Sequence, residues 1–134
     1  MDQNVPVNLQ NRINEAVLRH IRDASAHSDV TEVLLQAIAP LGDVQTFCPN
    51  ASQYKYFLVS TRQIIFGFAT GMNSISFRLD PIIKARALAT GGNDLTVISP
   101  EWISFTLFRD DWPEIDVTFW ARKAYVFARE THIV

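Results

Sequence analysis

The stretch from 55 to 79 constrains this chain most. Lys55–Ser60, Ile64–Thr70 and Ser74–Leu79 each read with a period of two, joined at Thr61–Gln63 and Gly71–Asn73. That is the pattern of an antiparallel meander. Its first two strands are apolar on both sides: Tyr56 and Leu58 oppose Phe57 and Val59, and Ile65 opposes Ile64 and Phe66. A half-solvated antiparallel strand alternates apolar with polar, so strands of this kind predict cover on both faces. A second copy of the chain is one source of the second cover, and this motivates the expectation of a homodimer. The third strand differs, with Ile75, Phe77 and Leu79 on one face and Ser74, Ser76 and Arg78 on the other.

Helical periods flank the meander. Leu9, Ile13, Val17, Ile21 and Ala24 predict an amphipathic helix over about 8–25, with Arg12, Glu15, Arg19, Arg22 and Asp23 around the rest of the wheel. Asp29 followed by Glu32 resembles a capping box, and Val30, Val33, Leu34, Ala37 and Ile38 continue a second helix to Pro40 and Gly42. Val44–Cys48 reads as a short strand. Asp80-Pro81 opens a short helix with proline at its first position, closed by Gly91-Gly92. Leu95–Ile98 and Trp102–Phe108 read as two further strands. Asp110-Asp111-Trp112-Pro113 caps a last helix over about 113–130. The expectation is one α+β domain over 1–134: an antiparallel sheet of about five strands with helices packed on it, preceded by an extra N-terminal helix.

Twelve basic against fourteen acidic side chains leave a net charge of −2, which provides no drive toward nucleic acid or an anionic membrane. Nine of the twelve basic residues are Arg, and Arg78, Lys84, Arg86 and Arg109 fall in the sheet-and-helix region. No basic run accompanies them, so salt-bridge partners are the favoured reading. The N-terminus lacks the basic start and apolar core of a signal peptide. The strongest apolar run, Ile64–Ala69, is far short of the ~18 residues a membrane helix needs. The expected location is the cytoplasm, where the single Cys48 stays reduced and, with no His or basic residue beside it in sequence, reads as structural.

Chemical motifs are missing. His20 and His27 stand about 10 Å apart on a continuous helix, too far for one metal. There is no phosphate loop, no nucleophile elbow, and no His or Cys pair at zinc spacing. Asp110-Asp111 reads as a cap before it reads as a catalytic pair. No catalytic residue, cofactor or metal is expected, and enzyme activity is disfavoured.

Two surfaces remain as candidates. In the last helix, Val117, Trp120, Ala121, Ala124, Phe127 and Ala128 share a wide face whose alanines allow close approach to a sheet. Ile115, Phe119 and Val126, with Arg122 in the gap, form a second stripe on nearly the opposite side. That stripe packs on the first or second helix or serves as a subunit or partner interface. In the sheet, Ser74, Ser76 and Arg78 should share a side with Ser104 and Thr106, rimmed by Trp102 and Phe108. This is either a solvated face or a partner-binding surface with aromatic and Arg anchors.

The order helix, three-stranded meander, helix, two strands, helix resembles type III secretion chaperones and the YjbR-like and TfoX N-terminal-like domains. Ile65-Phe66-Gly67-Phe68 and Ser74-Ile75-Ser76-Phe77-Arg78-Leu79-Asp80 resemble the hairpin, strand and helix-start passage of the last two. Trp102-Ile103-Ser104-Phe105 and Asp116–Phe127, with Trp120-Ala121-Arg122-Lys123-Ala124, resemble their closing strand and helix. The likeness spans about 54–130 and rests on packing residues; the extra N-terminal helix departs from it. It brings no catalytic residues. For secretion chaperones it implies a small, acidic, dimeric protein that clamps an extended effector segment. The expected function is a non-catalytic, homodimeric module that binds a protein or peptide. The alternatives are a nucleic-acid-associated regulatory domain and a small-molecule binder with a pocket between sheet and helices.

Overall fold

The computed structural model describes residues 5–49, 55–108 and 115–133. Among these, the α-helices are α1 (Glu15–Ile21), α2 (Ser28–Ile38), α3 (Pro81–Ala89) and α4 (Val117–Arg129). The strands are β1 (Gln45–Phe47), β2 (Phe57–Thr61), β3 (Ile64–Thr70), β4 (Ser74–Arg78), β5 (Asn93–Asp94) and β6 (Trp102–Thr106). They form a six-stranded sheet in the order β1-β2-β3-β4-β6-β5, antiparallel at every pairing. The chain is α+β as expected, with one strand more than the approximate count and an N-terminal helix ahead of the sheet.

The central strands are covered twice by the chain itself. Phe57, Val59, Ile64 and Phe66 join Ile75, Phe77, Ile103 and Phe105 in a core under α2 and α4, with Ala87 of α3 at its side. Tyr56, Leu58 and Ile65 join Phe68 and Trp102 on the opposite face, under Val5, Leu9, Val17, Ile21 and Ile98. The two apolar sides of the meander therefore need no second copy to bury them, and this motive for a dimer falls away.

A β-bulge sorts β3 between the two cores. Val59 pairs with Gly67 and Ser60 with Ile65, so Phe66 is the extra residue. Such a bulge shifts the side-chain phase by one. Hence Ile65 and Phe68, three apart, lie on one face, while Phe66 and Ala69 lie on the other. Gly67 sits at this step and pairs with Phe77 of β4. A Cβ there would lie 3.0 Å from Phe77 Cδ1 and 3.3 Å from the Ser76 carbonyl oxygen.

Several boundaries moved for local reasons. The expected helix over 8–25 is a 3-10 turn (Val7–Leu9), a loop and then α1. Asn11 Oδ1 accepts from the Asn14 N–H at 3.1 Å, a side-chain bond that competes with helix continuation. α2 starts one residue before Asp29, capped by His27, whose Nδ1 accepts from the Asp29 N–H at 3.1 Å. Leu95–Ile98 is a turn, closed by Ile98 N–H on the Leu95 carbonyl at 3.0 Å, and β5 lies just before it. The turn brings Leu95 and Ile98 to the same core, which alternation in a strand would not do. α3 keeps its expected start, with Asp80 Oδ1 accepting from the Ile83 N–H at 3.0 Å and Pro81 in the first turn. α4 is capped by Asp116, which accepts from the Phe119 N–H at 3.1 Å; the helix begins at Val117, later than 113. The expected Asp110–Pro113 cap lies outside the described residues.

Trp120 is buried and stacks on Phe105 with centroids 5.6 Å apart, whereas Phe119 is only half-buried. Trp120→Ala should lower stability by about 3–5 kcal/mol and Phe119→Ala by roughly half of that, read from urea midpoints. An equal or larger loss for Phe119 would reverse the assignment of the two helix faces. Gly67→Ala should cost about 1–3 kcal/mol, because the facing Phe77 ring is fully buried and cannot yield cheaply. An unchanged midpoint would show that the bulge absorbs the methyl group.

Candidate functional site

The sheet pairing brings the expected polar residues together. Ser74 is opposite Thr106, Ser76 opposite Ser104, and Arg78 opposite Trp102. Much of that side is closed, however. Ser76 is 1 % exposed, Trp102 2 % and Arg78 7 %. Trp102 lies against Phe68, centroids 5.2 Å apart, within the core beneath α1. Arg78 Nε donates to Glu101 Oε1 at 3.0 Å and its Nη1 to Thr131 Oγ1 at 3.0 Å, with the guanidinium 4.5 Å from the Phe127 ring centroid. These contacts tie the end of β4 to the end of α4, so Arg78 is engaged within the chain. The open remainder is a strip at the other end of the strands. There Ser74, Ser104 and Thr106 are half-buried, the two serine hydroxyls are 2.9 Å apart, and Phe108 is 60 % exposed.

The second stripe of α4 grades from covered to open. Ile115 is half-buried and lines a groove of about 470 Å³ with Val33 and Ala37 of α2. Phe119 meets Trp120 edge-on at 4.8 Å, with Lys123 Nζ 5.4 Å and the Arg86 guanidinium 6.0 Å from its ring centroid. Arg122 is exposed, and Val126 is 46 % exposed.

Near the end of α4, Arg129 donates to Asp43 at 3.2 Å and to Thr61 Oγ1 at 3.0 Å, and Tyr125 donates its hydroxyl to the Gly42 carbonyl at 2.6 Å. The Gln45 amide, and then Arg129, hold the Asp43 carboxyl below its ordinary value. Its contribution to this clasp is therefore present above the ordinary carboxylate pKa and is lost as pH falls through the lowered one.

A cleft of about 430 Å³ opens in the N-terminal layer, and sequence reading did not find it. Tyr56 and Val5 supply buried apolar surface, and Leu18 is half-buried beside them. Glu15, Leu18, Arg19 and Arg22 recur at i, i+3, i+4 and i+7 along one face of α1, and Arg12 adds a further guanidinium. Arg19 Nη2 holds Glu15 Oε1 at 3.0 Å; among the described residues, neither Arg12 nor Arg22 makes an ion pair. The only hint in the sequence is Leu18, an apolar residue placed among the arginines of the polar face.

Asn14 positions this layer and was also missed. It is 1 % exposed, and its Nδ2 donates to the Leu9 carbonyl at 2.9 Å and the Gln63 carbonyl at 2.8 Å. Its Oδ1 accepts from the buried Ile65 N–H at 3.0 Å. One side chain thereby joins the loop before α1 to the β2–β3 hairpin.

Other candidate chemistry is dispersed. Cys48 is half-buried, with Sγ 3.6 Å from the Lys55 carbonyl oxygen. Among the described residues, no group of three or more His, Cys, Asp or Glu is placed to hold a metal, and no helix is long and apolar enough to cross a membrane. In comparison with known proteins, no family model matches the chain, and neither a curated protein nor a solved structure matches it.

Asn14→Ala should cost about 1–3 kcal/mol for the orphaned Ile65 N–H alone. Hydrogen exchange should rise first at Ile65 and along α1. Protection unchanged at both would show that the layer is held by apolar contact without this asparagine.

Proposed function

We propose that the chain is a non-catalytic interaction module of the cytoplasm that pairs with a second copy of itself and binds a protein or peptide. The observation that carries this reading is the outer side of α4. Both faces of the sheet are already covered by the chain's own helices, yet Val126 and Arg122 stay open beside the half-buried Phe119 and Ile115. Ile115 and Phe119 pack partly on the chain's own core, and the exposed Val126 with Arg122 beside them offers an apolar and a guanidinium contact of the kind partners use. The strip of Ser74, Ser104, Thr106 and Phe108 is a second area available to a partner. The chaperone-like part of the proposal rests on the resemblance of the element order to secretion chaperones.

A second reading, a small-molecule binder with a pocket between sheet and helix, is favoured by the cleft between Tyr56 and α1. Its volume falls in the range of ligand sites, roughly 300–1,000 Å³.

Sedimentation at tens of micromolar should show a species of about twice the monomer mass, and Val126→Glu should convert it to monomer with the circular dichroism spectrum unchanged. A wild-type protein that sediments only as a monomer would remove the self-association. A Val126→Glu variant that stays dimeric would move the interface away from α4.

A further inference from the structure

The geometry points to the N-terminal cleft as a binding site for a free amphipathic anion, a small molecule with an apolar body and a carboxylate or phosphate head. The inference is independent of self-association through α4, because α1 and α4 lie on opposite faces of the sheet.

The cleft combines an apolar inner surface with a cationic rim. Its inner part is apolar: the buried Tyr56, the buried Val5 and the half-buried Leu18. Its rim is cationic: among the described lining residues, Arg12, Arg19 and Arg22 stand with one carboxylate, Glu15, which Arg19 already holds. The described rim residues therefore carry three positive charges against one negative, on a chain whose net charge is −2. An anionic head placed in the cleft would meet guanidinia from three positions along one wall. Arg12 and Arg22 make no ion pair among the described residues, so their donors are available to an incoming group. Guanidinium forks match the planar carboxylate and the phosphate in geometry as well as charge. The apolar inner wall then takes the body of the same molecule, and the cleft volume of about 430 Å³ suits one small ligand and not a folded partner.

The spacing along α1 is what builds this arrangement. Val17 and Ile21 turn into the core, while Leu18, Arg19 and Arg22 follow on the neighbouring stripe. Asn14 fixes the helix over the β2–β3 hairpin, so the rim is held against the sheet and not left to a loose segment.

The test uses the full chain and 1-anilinonaphthalene-8-sulfonate, an aromatic monoanion that fluoresces on entering an apolar site. Wild-type protein should bind one probe per chain. The double variant Arg12→Ala/Arg22→Ala, both exposed positions, should lose about tenfold in affinity per guanidinium removed, the factor of one charge-assisted hydrogen bond. Sub-micellar dodecanoate and dodecyl phosphate should displace the probe, and the stronger of the two identifies the preferred head group. Dodecyltrimethylammonium should not displace it. Val126→Glu, on the opposite layer, should leave probe affinity unchanged whether or not it alters the oligomer. Absence of probe binding, undiminished affinity in the double variant, or equal displacement by the cationic surfactant would each overturn the inference. An affinity loss in Val126→Glu equal to that of the double variant would overturn it too, by placing the probe on α4.

Discussion

Two strands that are apolar on both faces govern the whole molecule. β2 and β3 cannot lie at a sheet surface, because neither face can be left to water without exposing large aliphatic and aromatic side chains. The chain meets this with two unequal covers. One is built from α2 and α4, whose alanines Ala121, Ala124 and Ala128 bring the helix backbone close to the sheet. The other is slight: the turn at Val7–Leu9, the short α1 and the loop around Ile98. A seven-residue helix has little stability of its own, so this second layer depends on its contacts with the sheet.

Polar side chains at the ends of the sheet fix how those layers sit. Asn14 links the N-terminal layer to the β2–β3 hairpin through two hydrogen bonds, to Gln63 and Ile65, and holds Leu9 of its own layer with a third. Arg78 links β4 to Glu101 and to the end of α4. Lys84, 6 % exposed, donates to Asp94 and to the Pro100 carbonyl, and so holds α3 to the β5–β6 connection. Each is a buried polar group satisfied by at least two partners, the condition under which such a group fixes geometry instead of opposing folding. This is why guanidinium and serine groups that alternate outward on a strand do not automatically form an open surface. At Arg78 and Ser76, neighbouring layers have closed over them.

With those residues engaged in holding the fold together, the available surfaces fall on opposite sides of the molecule. On one side lies the outer stripe of α4, apolar and edged by Arg122. On the other lies the cleft beside α1, cationic at the rim and apolar within. The surface proposed for association and the cleft proposed for a ligand lie on opposite sides of the sheet and share no residues.

Local pattern was enough to establish the α+β class, the alternation of β4 and β6, the Asp80-Pro81 start of α3 and the two apolar faces of β2 and β3. These depend on residues within a few positions of one another, where backbone geometry converts spacing into direction. Of the second stripe expected on the last helix, Ile115 precedes α4, and Ile115 and Phe119 pack against the chain's own core, which leaves Val126 exposed. Tertiary structure alone decided what covers each face. The bulge at Phe66–Gly67 reverses the parity of β3 in a way no single-strand pattern announces, and Asn14 finds its partners roughly fifty positions along the chain. The closure over Arg78 and Trp102 and the gathering of Arg12 and Arg22 beside Tyr56 likewise come from contacts between distant segments. Sequence spacing specifies which way a side chain points; which surface it meets is set by long-range packing, and the candidate sites of this protein lie there.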